Sequence, residues 1–203
     1  MPVITEISAQ KNNSERCNIY VDGVFYCALR LETVMLCRLK AGMEAEPSFL
    51  DEIQFENEKA QALDKALTHI SCSMKTEREI RLFLERKGYT APVAEYCIGK
   101  MKEYGYIDDA AFCRMYTESC RGKKGVRLIR SELMAKGADP EAAEAALSAV
   151  DWEREAAGAV FEKYMRSKPY TQENLKKAVR HLLARGFDAD TAKDVLRDAA
   201  EED

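Results

Sequence analysis

Leu133-Met134-Ala135-Lys136-Gly137-Ala138-Asp139 is the middle one of three copies of a short sequence pattern. The first copy is Leu84-Glu85-Arg86-Lys87-Gly88-Tyr89-Thr90 and the last is Leu182-Leu183-Ala184-Arg185-Gly186-Phe187-Asp188. The glycines of the three copies are 49 residues apart each time, and apolar residues match on both sides of them. A period of this length is typical of tandem supersecondary units, which usually bind partners. The sequence therefore predicts an array of three modules.

Each copy of the pattern has the chemistry of a tight corner between two helices. A lysine or arginine followed by glycine is typical of a helix C-terminus, because the cation favours the negative end of the helix dipole and glycine readily turns left-handed. The threonine or aspartate two residues later is a good N-cap for the next helix. Apolar residues at helical spacing predict three helices in each module. Further caps are expected at Asp108 or Asp109, at Thr76 with Glu79 as a capping box, and at Thr171.

The modules are predicted to span 58–105, 106–151 and 152–203, the last with an acidic C-terminal tail. The sequence before them differs, because Asp22-Gly23 between two apolar runs is a strong hairpin signal. With a further strand at the start it predicts a three-stranded meander. A short helix over Leu31–Arg38 follows, and Ser48 is expected to cap another helix. The predicted fold class is mainly α, a tandem array of three three-helix repeats with a small N-terminal antiparallel β element.

The composition argues against several classes of protein. A net charge of −4 over 203 residues gives no global attraction to nucleic acid or to a membrane surface, and no run of 18 apolar residues predicts a membrane span. The seven cysteines form no CxxC pair, which indicates a reducing cytoplasm and thiols packed mostly as small core residues. With two histidines and no catalytic or nucleotide-binding motif, we predict a non-enzymatic protein without a cofactor or metal.

The basic residues predict a partner-binding surface. They are densest around the helix before the second corner, where Lys123, Arg127 and Arg130 follow one helix face. Arg81 and Arg130 precede their glycines by seven residues, and Arg180 precedes its own by six. If the modules stack, these cations line one stripe; an ordinary solvated helix face is the alternative. The candidate contact residues are Lys123, Lys124, Arg127, Arg130, Lys136, Arg78, Arg81, Lys177 and Arg180.

Two other interpretations of the modules fit the residues less well. A helix-turn-helix would place the helix after the corner in the DNA major groove, but in module two that helix, 140–149, has no side chain suited to reading base edges. The acidic pair Asp108-Asp109 fits a helix cap better than a metal or catalytic carboxylate pair. A structural role is therefore expected for Gly88, Asp108, Asp109, Gly137 and Gly186.

Three stretches together resemble the bacterial RecX regulatory proteins, over about residues 58–200: Gly105-Tyr106-Ile107-Asp108-Asp109-Ala110-Ala111-Phe112, Lys124 through Gly137, and Leu182 through Phe187. The resemblance implies tandem three-helix modules that lie in the groove of the RecA–DNA filament. It implies that they block filament extension or promote disassembly, and so restrain strand exchange and ATP hydrolysis. It also implies a contact region that includes Lys124, Gly125, Arg127, Arg130 and Lys136.

The partner expected from this resemblance is the RecA filament, with DNA backbone reached through it, and we expect the chain to be a monomer. A non-specific single-stranded nucleic-acid binder is the first alternative, and it would stack bases on Tyr89, Tyr106 or Phe187. A protein adaptor that uses the N-terminal hairpin is the second alternative.

Overall fold

A computed structural model describes residues 1–11 and 13–201, which fall into two compact units. The first unit comprises Met1–Ser73 and Arg81–Glu103, and the second comprises Met74–Ile80 and the chain from Tyr104 onward. The described residues form three strands followed by ten helices. The predicted fold class, mainly helical with a small antiparallel β element at the N-terminus, is confirmed.

The β element is an antiparallel meander of β1 (Ile4–Gln10), β2 (Asn13–Val21) and β3 (Val24–Arg30). Asp22 and Gly23 join the second and third strands with φ values of 48° and 80°, the left-handed pair that a two-residue hairpin favours. The hairpin prediction is therefore confirmed. One face of the sheet supplies the core of the first unit, where the buried residues include Ile4, Ile19, Leu29 and Leu50.

Two helices follow the sheet, α1 (Leu31–Leu36) and α2 (Pro47–Ile70), and both differ from the prediction. The first ends two residues early, because Arg38 adopts a left-handed φ of 51°. The predicted cap at Ser48 is wrong, since Glu46 precedes the first helical residue and no side chain caps this end. Pro47 fixes the start, because a proline loses nothing in the first turn. The second helix runs without a break across residue 58.

Eight further helices, each shorter than α2, make up the rest of the described chain. Each corner glycine has a left-handed φ, 84° at Gly88, 71° at Gly137 and 88° at Gly186, as the corner pattern predicts. The predicted acidic tail falls on residues from 202 onward, outside the described part of the chain. The helices are α3 (Glu77–Arg86), α4 (Ala91–Glu103), α5 (Asp109–Ser119), α6 (Val126–Ala135), α7 (Pro140–Ser148), α8 (Glu153–Met165), α9 (Gln172–Ala184) and α10 (Ala189–Glu201).

The helix caps follow the local sequence. Asp108, rather than Asp109, caps α5, and its Oδ1 accepts from the N–H of Ala111 at 2.8 Å. Thr76 and Glu79 form the predicted capping box, since each side chain accepts from the backbone N–H of the other, at 3.1 and 3.2 Å. Asp139 and Asp188 accept from the N–H three residues further on, at 2.8 and 2.7 Å. These caps set where the helices of the second unit begin.

The helix α9 starts one turn earlier than its counterparts. The first residues of α3 and α6 are 49 apart, and the same register predicts a start at residue 175, whereas α9 begins at Gln172. Thr171 caps this extra turn, because its hydroxyl accepts from the N–H of Asn174 at 3.3 Å. The predicted Thr171 cap is confirmed, and the extra turn that it caps is specific to module three.

The core of the second unit is continuous across the second and third modules. Its fully buried members include Ile129, Leu133, Leu182 and Phe187, which flank the two corners. Five of the seven cysteines are buried, as predicted for thiols packed as small core residues. Burial also raises the pKa of the Cys27 and Cys97 thiols to about 11, so these two stay neutral at ordinary pH.

Candidate partner-binding surface

The second and third modules are joined by direct backbone contact. The N–H of Gly125 donates to the carbonyl of Arg185 at 2.9 Å, and the N–H of Arg127 donates to the carbonyl of Gly186 at 3.1 Å. A Cβ atom on either glycine would lie well inside 3.0 Å of backbone atoms of the facing segment. Both glycines are therefore required for the start of α6 to approach the α9–α10 corner. We call this contact the second junction.

The start of α3 packs on the α6–α7 corner at the equivalent positions, within the second unit. The hydroxyl of Thr76 donates to the carbonyl of Lys136 at 2.8 Å, and Lys136 Nζ lies 3.3 Å from Glu79 Oε1. The side chain of Arg78 lies against Gly137. We call this contact the first junction. It places Lys136, a predicted contact residue, in an ion pair between two elements of the unit.

Asp109 ties three helix starts together at the first junction. One carboxylate oxygen accepts from the N–H of Glu77 at 3.0 Å, and the other accepts from the N–H of Asp139 at 3.1 Å. The residue itself is the first of α5. A carboxylate that accepts from N–H groups at helix starts is stabilised by their unpaired donors and by the helix dipoles. These contacts make Asp109 a structural residue.

One position near the start of the helix before each corner carries a cation in all three modules. Arg78, Arg127 and Lys176 are 49 residues apart, and all three are exposed. None of them forms an ion pair among residues 1–11 and 13–201, although Arg127 helps to lower the pKa of Asp188 after the larger effect of the Thr191 backbone N–H. We call these three the aligned cations. The predicted contact list misses Lys176, which the 49-residue spacing identifies.

Arg81 and Arg130, by contrast, are each held in an ion pair. Arg81 pairs with Glu95, and Arg130 pairs with Glu144 through two hydrogen bonds of 2.7 and 2.9 Å. The two pairs are the same contact in modules one and two, between the helices before and after the corner. The hydrogen bond from Arg130 also lowers the pKa of the Glu144 carboxyl. Both arginines of the predicted stripe are thus neutralised locally.

Lys124 is also held inside its module. Its Nζ lies 2.7 Å from both carboxylate oxygens of Glu132, which also accepts a 2.8 Å hydrogen bond from the Tyr116 hydroxyl. Burial alone would raise the pKa of Glu132, but the bonds from Lys124 and Tyr116 outweigh it, so the pKa of Glu132 lies below its ordinary value. The ammonium of Lys124 therefore forms an ion pair within the second unit.

The remaining predicted contact residues differ in their exposure to a partner. Lys123 donates to the carbonyl of Ser119 at 3.1 Å, and Lys177 pairs with Glu173 at 2.7 Å. Arg180 is exposed and forms no ion pair within the described residues. Of the nine predicted contact residues, the structure leaves the charges of Arg78, Arg127 and Arg180 most available.

The aromatic residues considered for base stacking are mostly enclosed. Phe187 is fully buried in the core of the second unit, as its position at the corner favours, and it is not available for base stacking. Tyr89 is half-buried, with Lys65 Nζ 5.2 Å from its ring centre. Tyr106 is 53% exposed and contacts Tyr104 edge-on. Tyr106 is therefore the most exposed of the three rings.

The described part of the chain contains no helix that is both long and apolar enough to cross a membrane. Its histidine, cysteine, aspartate and glutamate side chains form no group able to hold a metal ion, again within the described residues.

Comparisons with known proteins give a consistent result along the chain. The family model of the regulatory protein RecX N-terminal domain matches residues 2–46. The models of the first and second RecX three-helix domains match residues 62–101 and 108–147. The matches therefore cover both the β element and two of the repeated modules.

Whole-chain relatives agree with the domain matches. The regulatory protein RecX of Bacillus licheniformis is 31% identical and covers 98% of this chain and 78% of its own length. That of Bacillus subtilis is also 31% identical, over 99% of this chain and 84% of its own length. A crystal structure of regulatory protein RecX shares the fold with a TM-score of 0.66 at 24% identity, covering 96% of this chain and 98% of the other. From the family-model matches and these relatives, the chain belongs to the RecX family of regulatory proteins.

Proposed function

We propose that this protein is a non-catalytic regulator that binds RecA nucleoprotein filaments in their groove and inhibits filament extension, strand exchange and ATP hydrolysis. Two lines of support lead to this proposal. The family to which the chain belongs is a family of regulatory proteins. The modules repeat a basic position at a fixed spacing, which suits a partner that is itself built from repeating subunits.

The aligned cations are the observation that carries the proposal. Arg78, Arg127 and Lys176 occur once in each module, are exposed, and form no ion pair within the described part of the chain. A single exposed charge contributes little, up to about 1 kcal/mol. Several such contacts held on one framework add through their high effective concentration. A repeated acidic or phosphate group on the filament is the complementary surface.

The test replaces the three aligned cations together. We expect Arg78→Glu with Arg127→Glu and Lys176→Glu to weaken inhibition of RecA's DNA-dependent ATP turnover about tenfold or more, since three charges of roughly 0.5 kcal/mol each correspond to one order of magnitude. The matched control is Arg130→Gln with Glu144→Gln, which removes a charge pair that is already neutral. That control should inhibit like the unmodified protein.

Circular dichroism must show native helix content in both variants before the inhibition assay is interpreted. Equal inhibition by the triple variant and the control would contradict the proposed contact. A parallel titration of single-stranded DNA without RecA, over a salt series, distinguishes a nucleic-acid binder, whose affinity falls steeply with salt. Tight binding to DNA alone, unaffected by RecA, would replace the proposed function with the first alternative.

A further inference from the structure

A groove runs between α9 and α10 in module three. The side chains that face each other across these two helices differ from those at the equivalent positions of modules one and two. Its volume is about 760 Å³. Leu175, Val179 and Leu196 supply an apolar floor, and all three side chains are half-buried. Lys176 and Arg180 stand at its rim, both exposed. The groove therefore combines aliphatic and cationic surfaces.

The repeat explains why the groove is open. The helices before and after the corner are bridged by Arg81 and Glu95 in module one and by Arg130 and Glu144 in module two. In module three the same two positions carry Val179 and Lys193. A valine and a lysine cannot make this bridge, so the two helices lack the charge pair that crosses between them elsewhere.

The floor of the groove is correspondingly less covered. Leu196 occupies the repeat position of Ile98 and Leu147, which are 3% and 4% exposed. Leu196 itself is only half-buried and lines the groove. An aliphatic side chain that the other modules bury is thus presented to solvent in module three.

We propose that this groove binds an acidic amphipathic α-helix of a partner protein. Aliphatic side chains of that helix would cover the apolar floor, and its carboxylates would pair with Lys176 and Arg180. A groove that takes an amphipathic helix by its apolar face is a common recognition mode. The charge of the rim selects an acidic helix, because Lys176 and Arg180 are both cationic and exposed beside the apolar floor. The proposal goes beyond the regulation of RecA and does not depend on it.

The lining of the groove argues against a single-stranded nucleic acid as its occupant. Its lining residues include no aromatic ring on which a base would stack.

The experiment uses a synthetic amphipathic peptide and the full-length protein. The probe is a fluorescein-labelled helix of roughly 16 residues, long enough for measurable helicity, with leucine at i, i+4 and i+7 and mainly glutamate and alanine elsewhere. We expect saturable binding by fluorescence anisotropy with a Kd below about 100 μM. The same peptide with lysine in place of glutamate should not bind.

Val179→Arg with Lys193→Glu is the decisive variant, because it installs in module three the ion pair that modules one and two carry. It should fold normally, reduce peptide affinity at least tenfold, and leave inhibition of RecA unchanged, since the aligned cations are intact. Arg180→Glu tests the rim alone by an exposed substitution that does not threaten folding. It should reduce peptide affinity about fivefold. Lys163→Glu, an exposed charge change on α8, is the control and should bind like the unmodified protein.

Four results would overturn the proposal. These are no saturable binding of the acidic peptide below about 1 mM, equal affinity for the lysine peptide, unchanged affinity in the Val179→Arg, Lys193→Glu variant, and displacement of the bound peptide by a single-stranded oligonucleotide or by anionic phosphatidylserine vesicles. None of them depends on RecA. Loss of peptide binding and loss of RecA inhibition are therefore separate outcomes, and each identifies which inference has failed.

Discussion

The first and second junctions occupy the same positions of the repeat, yet different atoms hold them. At the first, a threonine hydroxyl, an ion pair and the carboxylate of Asp109 connect the segments. At the second, two backbone N–H groups donate directly to backbone carbonyls, and both facing positions are glycine. The first junction therefore depends mainly on side-chain contacts, and the second depends on backbone contacts that a side chain at Gly125 or Gly186 would block.

This difference shows how a repeat can keep its geometry while its sequence changes. Thr76 and Gly125 are equivalent positions, and each supplies one donor to a carbonyl in the next corner, at 2.8 and 2.9 Å. What the repeat preserves is the donor and its direction rather than the residue type. Substitutions at the two junctions should consequently have different costs, and four predictions rank them.

The largest effect is expected for Gly125→Ala at the second junction. The new Cβ would meet the backbone of Gly186 and Phe187, which cannot rotate away as a side chain would. Overpacking against backbone at a buried site costs about 3 kcal/mol. Urea unfolding followed by circular dichroism should show this loss of stability.

The matched control is Gly158→Ala in the middle of α8. A Cβ there meets no atom within 4 Å among the residues the structure describes. Alanine in a helix interior is favoured over glycine by about 0.5–1 kcal/mol, so this variant should be slightly more stable. Similar stability of the two variants would contradict the backbone contact at the second junction.

The next largest effect is expected for Asp109→Ala at the first junction. The change leaves the N–H groups of Glu77 and Asp139 without an acceptor, at about 1 kcal/mol each. The free energy of unfolding should therefore fall by about 2 kcal/mol. Asp109→Asn keeps one acceptor oxygen and should lose about half as much. A loss for Asn equal to that for Ala would show that the two bonds do not act separately.

A smaller effect is expected for Thr76→Val, which keeps the shape of the side chain but removes its hydroxyl. Thr76 is fully buried, and its hydroxyl both accepts in the capping box and donates across the first junction. Loss of the N-cap costs about 1 kcal/mol and loss of the bond to Lys136 adds roughly 0.5 kcal/mol, so the free energy of unfolding should fall by about 1.5 kcal/mol. Thr76→Ser retains the hydroxyl and should recover most of the stability in thermal unfolding. If serine is no better than valine, shape rather than hydrogen bonding holds this site.

The smallest effect concerns the pH dependence of stability that His181 of α9 produces. Burial lowers the pKa of His181 below its ordinary value, and nearby Arg185 and Lys168 lower it further. Its ring stacks on Tyr164 at a centroid distance of 4.7 Å. The folded protein binds a proton on His181 less readily than the unfolded chain does. The neutral imidazole therefore contributes fully to the free energy of unfolding above a pH of about 6.5, and this contribution is lost as the pH falls.

We therefore expect His181→Phe, which keeps a ring for stacking, to flatten the dependence of the urea midpoint on pH between about 7 and 5. Module one already carries a phenylalanine at this position, Phe83, stacked on His69. Parallel pH profiles for the variant and the unmodified protein would rule out this histidine as the source of the slope.

The sequence predicts features that depend on neighbouring residues. Corner glycines, the Thr76 capping box and the Asp22-Gly23 hairpin all follow from local backbone chemistry, and the structure contains each of them. The Ser48 cap fails because Pro47 is a stronger local signal for a helix start. The predicted cation stripe is altered for another reason. Whether Arg130 faces a partner or Glu144 depends on how two helices pack, which residue spacing does not reveal.

Lys176 is an exposed cation that the 49-residue spacing alone identifies. It stands at the repeat position of Arg78 and Arg127, whereas the predicted Arg180 is displaced from the position of Arg130 by one residue. One residue on a helix is a rotation of about 100°, enough to move a side chain to another face. Arg180 therefore does not occupy the position that Arg81 and Arg130 share, although it is itself exposed.

The extra turn of α9 has a consequence for how such a protein gains new modules. In module two the N–H of Gly125 donates to the Arg185 carbonyl at the next corner. At the equivalent Asn174, the N–H already donates to the Thr171 hydroxyl. A copy of module two inserted between the second and third modules could form a junction with each of its neighbours. The same copy fused after α10 could not form this junction, because the N–H of Asn174 already donates to Thr171. Lengthening by internal duplication is thus favoured over extension at the far end.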